Sequence, residues 1–140
     1  MIIEHSTLPL ETTDSLEMID ITGQVEEQLQ LTKVSAGCVQ VFTRHTTSGI
    51  CVTENERGLL EDIKTFLTKI APPGEAYAHD VRHSPGTENA HSHLQSLCIG
   101  SQVTLPVQDH RLSLGTWQSV FFVELDGPRQ REISVQILGA

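Results

Sequence analysis

The segment "REISVQIL" alternates polar and apolar positions, which sets Ile133, Val135 and Ile137 on one face of a strand. β-forming runs bounded by turn residues recur along the chain. They predict strands in "IIEHSTL" and "LEMIDI", then "AGCVQVFT" and "GICVT", and later "QVTLPV", "RLSL" and "WQSVFFVEL". "QDHR" and "DGPR" supply turns between the late strands.

Between these runs the period changes to that of a helix. "TGQVEEQLQL" carries Val25, Leu29 and Leu31 in a short helix. In "TENERGLLEDIKTFLTKI", Leu59, Ile63, Phe66, Leu67 and Ile70 form one continuous stripe suited to lying on a sheet. Thr53 and Glu56 have capping-box spacing at its start, Lys69 suits the far end of the helix dipole, and "APPGE" ends it. A shorter helix is expected from near Asn89 to just before Gly100, burying Leu94, Leu97 and Cys98. Strands interleaved with two main helices, closing on a long antiparallel run, predict one compact α+β domain over residues 1–140. Its sheet should be mostly antiparallel and sandwich-like.

Composition narrows the function classes. With 38% hydrophobic and 19% charged residues the chain is globular, not disordered. It has no apolar run of about 18 residues, so no transmembrane helix is expected. "MIIEHSTLPLETTDS" lacks a basic segment followed by an uninterrupted apolar one, and reads as mature protein. The net charge of −9, with nine scattered Lys and Arg, argues against a nucleic-acid partner. Cys38, Cys51 and Cys98 form no CxxC pair and sit in apolar settings. Buried, reduced thiols in the cytoplasm are expected.

Chemistry concentrates in "YAHDVRHSPGTENAHSHL", which holds His79, His83, His91 and His93, four of the chain's seven histidines. The segment reads as either a metal site or a polar loop, since it contains no HExxH-type motif. A catalytic zinc site takes three protein ligands, and its neutral imidazoles are oriented by acceptors such as a carboxylate, a place Asp80 could fill. On a helix, residues 91 and 93 point roughly 200° apart and cannot both face one ion. A third imidazole would then come from elsewhere, and His45 in "RHTTSG", at a strand end, is the candidate. In the same stretch Thr46, Thr47, Ser48 and Gly49, with Arg44 beside them, read as a holder of phosphate or carboxylate, or as a bulged turn. Arg129 and Arg131 read as a phosphate clamp or a salt bridge between subunits, with surface pairing the default for each. Glu124, mid-strand among apolar residues, is either on a solvated face or buried and functional.

"HTTSGICVTEN", "YAHD", "AHSHLQSLCIGSQVTLPV", "RLSLGTWQSVFFVELDGPR" and "REISVQI" resemble, in order and spacing, the YjbQ family, whose members are often labelled secondary thiamine-phosphate synthases. The resemblance runs from about the first strand to the C-terminus. It implies a compact α+β subunit assembled as a homotrimer, with a histidine-lined pocket for a divalent metal ion, zinc being the expected one. The family's histidines fall on His45, His79 and His93, leaving His83 and His91 outside the ligand set. By the same mapping Asp80 and Glu124 are the acid–base candidates. Asn55, Thr116, Trp117 and Gln118 would line the pocket or its wall between subunits. The implied activity joins a pyrimidine pyrophosphate to a thiazole phosphate, with Arg44, Arg129 or Arg131 neutralising phosphate charge. Three imidazoles suit a zinc-type hydrolase of a small molecule at least as well as they suit pyrophosphate chemistry, which usually employs a carboxylate-rich magnesium site. A non-catalytic trimer that binds a metal or metabolite is the alternative of a different class. One departure is the turn "QDHR", which lacks the glycine often found there; His110 can tolerate a positive φ better than most residues.

Overall fold

The computed structural model describes residues 1–83 and 85–140. Its elements run β1 (Ile2–Glu11), β2 (Glu17–Asp20), α1 (Thr22–Gln30), β3 (Gly37–Thr43), β4 (Ser48–Thr53), α2 (Arg57–Ile70), α3 (Ala78–Val81), α4 (Ala90–Ile99), β5 (Gln102–Gln108), β6 (Arg111–Leu112), β7 (Ser119–Glu124) and β8 (Gln130–Gly139). Two antiparallel sheets result: a five-stranded one ordered β1-β8-β3-β5-β6 and a three-stranded one ordered β2-β7-β4. This is the α+β, mostly antiparallel, sandwich-like architecture that the pattern predicts.

Alternation decides the layers. Ile133, Val135 and Ile137 of β8 join Val39, Val41, Leu105 and Val107 on the inner face of the larger sheet. They meet Ile50, Val120 and Phe122 of the smaller sheet, with Val25 and Leu29 of α1 closing the layer. β7 is buried on both faces. Its Phe122 enters this core, where burying a side chain of that size contributes about 1.5–3 kcal/mol. Val123 and, just past the strand, Leu125 pack the other way, against Leu67 of α2.

The helices depart from expectation in three ways. α2 begins at Arg57, and its cap is Glu56 itself, whose carboxylate accepts from the Gly58 and Leu59 amides; Thr53 stays in β4. Of its stripe, Leu67 is buried, whereas Phe66 and Ile70 are exposed. α4 spans the predicted range, yet Leu97 is 80% exposed and Leu94 and Cys98 also face outward. Its inner face is polar: Ser92 donates to the Leu125 carbonyl (2.5 Å), Gln95 to those of Leu67 and Ala71 (3.2 and 3.1 Å), and Ser96 to that of Ser48 (2.6 Å). α4 thus donates to carbonyls at the start of β4, just past β7 and at the end of α2. Close approach is needed as well, since a Cβ on Gly49 would lie 2.6 Å from the Ile99 side chain.

β1 runs on past Leu8 to Glu11, and Pro9 is accommodated because β1 is an edge strand. "RLSL" yields only the short β6, and Trp117 precedes β7 rather than starting it, 72% exposed. Asp109 and His110 both have positive φ, 50° and 61°, closing the β5–β6 hairpin. All three cysteines are free, but Cys38 and Cys51 are only partly buried and Cys98 is exposed. Cys51 is enclosed enough that burial pushes its thiol up to about 11. Among the described residues no helix is long and apolar enough to cross a membrane.

Candidate functional site

The turn between β3 and β4 is held from beneath. Thr43 and Ser48 share a hydroxyl–hydroxyl bond (2.8 Å), the His45 amide donates to Thr43 Oγ1 (3.2 Å), and Ser48 Oγ donates to the His45 carbonyl (3.1 Å). Arg131, 4% exposed, reaches up from β8 and donates to the Thr47 carbonyl (3.1 Å) and hydroxyl (2.9 Å). The guanidinium also forms a two-pronged ion pair with Glu124. That carboxylate is fully buried and accepts further from Thr12 Oγ1 (2.8 Å) and the Asp126 amide (3.0 Å). The hydroxyls of Thr47 and Ser48 and the carboxylate of Glu124 are therefore engaged inside the protein. None is open to a ligand, contrary to the binding and acid–base roles expected of them.

Above this base the imidazoles gather. The α3 helix, absent from the sequence reading, carries His79, and α4 carries His93. Their rings meet edge-on with centroids 4.9 Å apart, and the His83 ring lies 4.1 Å from that of His79. His83 Nδ1 donates to the His79 carbonyl (2.7 Å). His79 Nε2 donates to Asn89 Oδ1 (3.0 Å), and Asn89 Nδ2 donates to Asp126 (2.9 Å). Arg129 pairs with the same Asp126 oxygen at 2.8 Å, so its charge orients this chain rather than standing free for phosphate. His91, on another face of α4, lines a separate cleft with Ser15, Leu16 and Thr68.

Environment sets the protonation of two of these rings. Burial holds His93 below its ordinary value, and the neighbouring His79 adds to the effect, while Asp126 and the Thr46 main chain pull the other way. Burial likewise lowers His45, helped by the Arg131 charge. His45 Nε2 accepts from the Glu132 amide (3.1 Å), which fixes the ring proton on Nδ1. His45 and His93 both line a cleft of about 440 Å³, together with Arg44, Thr46, Phe42 and Leu97.

A ligating imidazole must offer an unprotonated nitrogen. In this arrangement the Nε2 lone pair of His45 is occupied by the Glu132 amide. Among the described residues no three His, Cys, Asp or Glu side chains are grouped to hold a metal ion. The zinc set expected at His45, His79 and His93 does not fit the side chains as they stand. Asp80, expected beside a metal or as an acid–base group, instead accepts from the Ala90 amide (3.0 Å) at the start of α4.

The remaining expected ligand-binding residues lie elsewhere. Asn55 donates to Asp20 (2.8 Å), and Gln118 folds back onto the Gly115 amide (2.8 Å) beside Thr116 and the exposed Trp117. In the β4–β7 pairing Ser48 faces Glu124 and Thr53 faces Ser119, so these residues sit at the opposite end of the sheet. Five residues of strand correspond to roughly 17 Å. Asn89 and Asp126 are the residues the sequence reading missed. One looks like a helix start and the other like part of a turn, and only the packing joins them to His79.

The family model described as "UPF0047 protein YjbQ-like" matches residues 6–140. A UPF0047 protein of Archaeoglobus fulgidus is 44% identical over 131 residues, covering 94% of this chain and 98% of the relative. Another, from Methanothermobacter thermautotrophicus, is 43% identical over 132 residues, covering 94% and 90%. The crystal structure of a YbjQ-like protein of unknown function from Sulfolobus solfataricus is similar with a TM-score of 0.94 at 36% identity, covering 99% of each chain. That of a hypothetical protein from Aeropyrum pernix is similar with a TM-score of 0.91 at 39% identity, covering 98% of this chain and 99% of the other.

Proposed function

We propose, for a chain that belongs to the YjbQ-like UPF0047 family, an acid–base enzyme acting on a small phosphorylated metabolite at the His79–His83–His93 cluster. The observation that carries this reading is the contact between His79 and His93, two imidazoles in unlike surroundings with ring centroids 4.9 Å apart. An acid–base centre needs one group ready to take a proton and another oriented beside it. His93 is kept neutral by burial and by its neighbour, which suits the base. His79 is aimed by Asn89, which Asp126 and Arg129 hold in turn. The exposed Arg44 and Thr46, in the cleft that His93 shares, are placed for phosphate oxygens. Joining a pyrimidine pyrophosphate to a thiazole phosphate belongs to this reaction class, as does hydrolysis of a phosphorylated small molecule. If a zinc ion takes part, it would polarise the phosphorylated substrate, and it would require His45 to release the Glu132 amide first.

We include a homotrimer in the proposal. Within one chain the Trp117 loop lies at the far end of β7 from the imidazoles, so in this reading it meets them only from another copy. Ligand binding without turnover is the second reading, and Asp80 and Glu124 favour it because both carboxylates are engaged away from the cleft.

The test is pyrophosphate release from the two thiamine precursors, and phosphate release from a panel of phosphomonoesters. Both are run on chelator-treated protein with and without added zinc. His93→Ala is expected to lower turnover by about 10²–10⁴-fold, the usual worth of a general base. Turnover unchanged in His93→Ala refutes the acid–base assignment. Binding without turnover by the unsubstituted protein establishes the second reading.

A further inference from the structure

A second cleft, of about 350 Å³, opens on the face of the five-stranded sheet opposite the core and is lined by His5, Thr7, Arg44, His45, Glu132 and Ser134. Its floor follows from register: Thr7 of β1 faces Ser134 of β8, with Phe42 of β3 on the other side of Ser134. Arg44 and His45 follow Thr43, which pairs with Ile133, so they come up beside Glu132. His5 Nε2 and Ser134 Oγ are hydrogen-bonded at 2.9 Å. The Glu132 amide donates to His45 Nε2 (3.1 Å), which leaves Nδ1–H as the ring's donor.

The lining therefore carries one guanidinium, donors from imidazole and hydroxyl groups, and one carboxylate. A simple anion would be attracted by Arg44 but repelled by Glu132. A molecule with an oxyanion at one end and a protonated amine at the other satisfies both, and the cleft has ample room for one. We propose that this cleft binds a small amino-bearing oxyanion, with the oxyanion on Arg44 and His45 Nδ1–H and the amine on Glu132. The inference rests on the preceding reading only in taking the oxyanion to be a phosphoryl group. His5, Thr7, Glu132 and Ser134 acquire a binding role that the motif reading did not give them.

The experiment is titration of the full chain with O-phosphoethanolamine, β-alanine and inorganic phosphate, followed by calorimetry and by backbone amide shifts at residues 44–46 and 132. O-Phosphoethanolamine is expected to bind and to shift these amides. Arg44→Ala should weaken it about tenfold, in the range of a charge-assisted contact. Glu132→Gln should weaken it about threefold, as for an exposed ion pair, while inorganic phosphate binds no worse or better. β-Alanine binding equally well, with the same losses, supports the cleft and makes the oxyanion a carboxylate. The inference is overturned if O-phosphoethanolamine does not bind at 10 mM (roughly the upper bound of useful affinity, about −2.7 kcal/mol), or if Glu132→Gln affects both probes alike. It is also overturned if binding survives Arg44→Ala but is lost in His93→Ala, a result that leaves the acid–base reading standing. Loss of turnover in His93→Ala with cleft binding retained is the pattern expected when both hold.

Discussion

Arg131→Met destabilises the protein by about 3–5 kcal/mol, the usual consequence of removing one partner of a buried ion pair. The methionine fills most of the space but leaves Glu124 fully buried with only the Thr12 hydroxyl and the Asp126 amide as donors. It also removes both Arg131 bonds to Thr47, whose carbonyl keeps only the Leu125 amide, so the turn carrying His45 is held less firmly. The pH dependence identifies the cause. In the native chain burial pushes Glu124 up, but Arg131, the Asp126 amide and the Thr12 hydroxyl outweigh it and hold the carboxyl below its ordinary value. That contribution is fully present above the unfolded carboxyl value, about 4.3, and is lost as pH falls through the folded one. Without Arg131, burial prevails and the folded value rises. The deficit of the variant should then be largest at neutral pH and shrink on acidification. Urea unfolding at pH 8 and pH 5 reads this directly; an equal deficit at both would mean the loss is one of packing.

Gly127→Ala is the second large effect, a destabilisation of about 3 kcal/mol, near the top of the range for overpacking. A Cβ at this position would lie 2.3 Å from the Asp14 carbonyl oxygen, 2.8 Å from Glu124 Cγ and 2.9 Å from Thr12 Oγ1. Main chain on one side and a buried carboxylate on the other cannot both withdraw, so the turn must move. That turn carries Asp126, which orients Asn89 and through it His79. Thermal unfolding gives the stability term, and the His79 ring resonances should shift in the same variant. Because Gly127 and Arg131 share Glu124 as a neighbour, the double variant should lose less than the sum of the two. Strict additivity would show that the sites do not communicate.

The two variants touch the part of the molecule that was least legible in the sequence. Alternation in "REISVQIL" and the run "SVFFVE" announce strands because burial of one or both faces writes a period directly into the residues. The motifs carry the family likewise. α4 misleads for an equally physical reason. Its helical range is legible, but its inner face consists of Ser92, Gln95 and Ser96 bonded to carbonyls, so the apolar Leu94 and Leu97 point to solvent. Periodicity reports hydrophobic burial and is silent about a face whose task is hydrogen bonding. The site shows the same limit. The spacing rules out His91 and His93 facing together, and the ring of His93 does meet His79 while His91 lines another cleft. Which of the other imidazoles touch depends on how α3 packs beside α4, a long-range fact with no local signature. Glu124 and Arg131 could be read as surface groups until the register turned both into the layer between the sheets.

The most direct measurement is a pH titration of the histidine ring resonances in the full chain and in His79→Gln. His93 is expected to titrate below 6.5 and to move upward in the variant, because burial remains but a like-charged neighbour is removed. His93 titrating at or above 6.5, and unmoved by His79→Gln, would mean that the two rings do not form one acid–base centre.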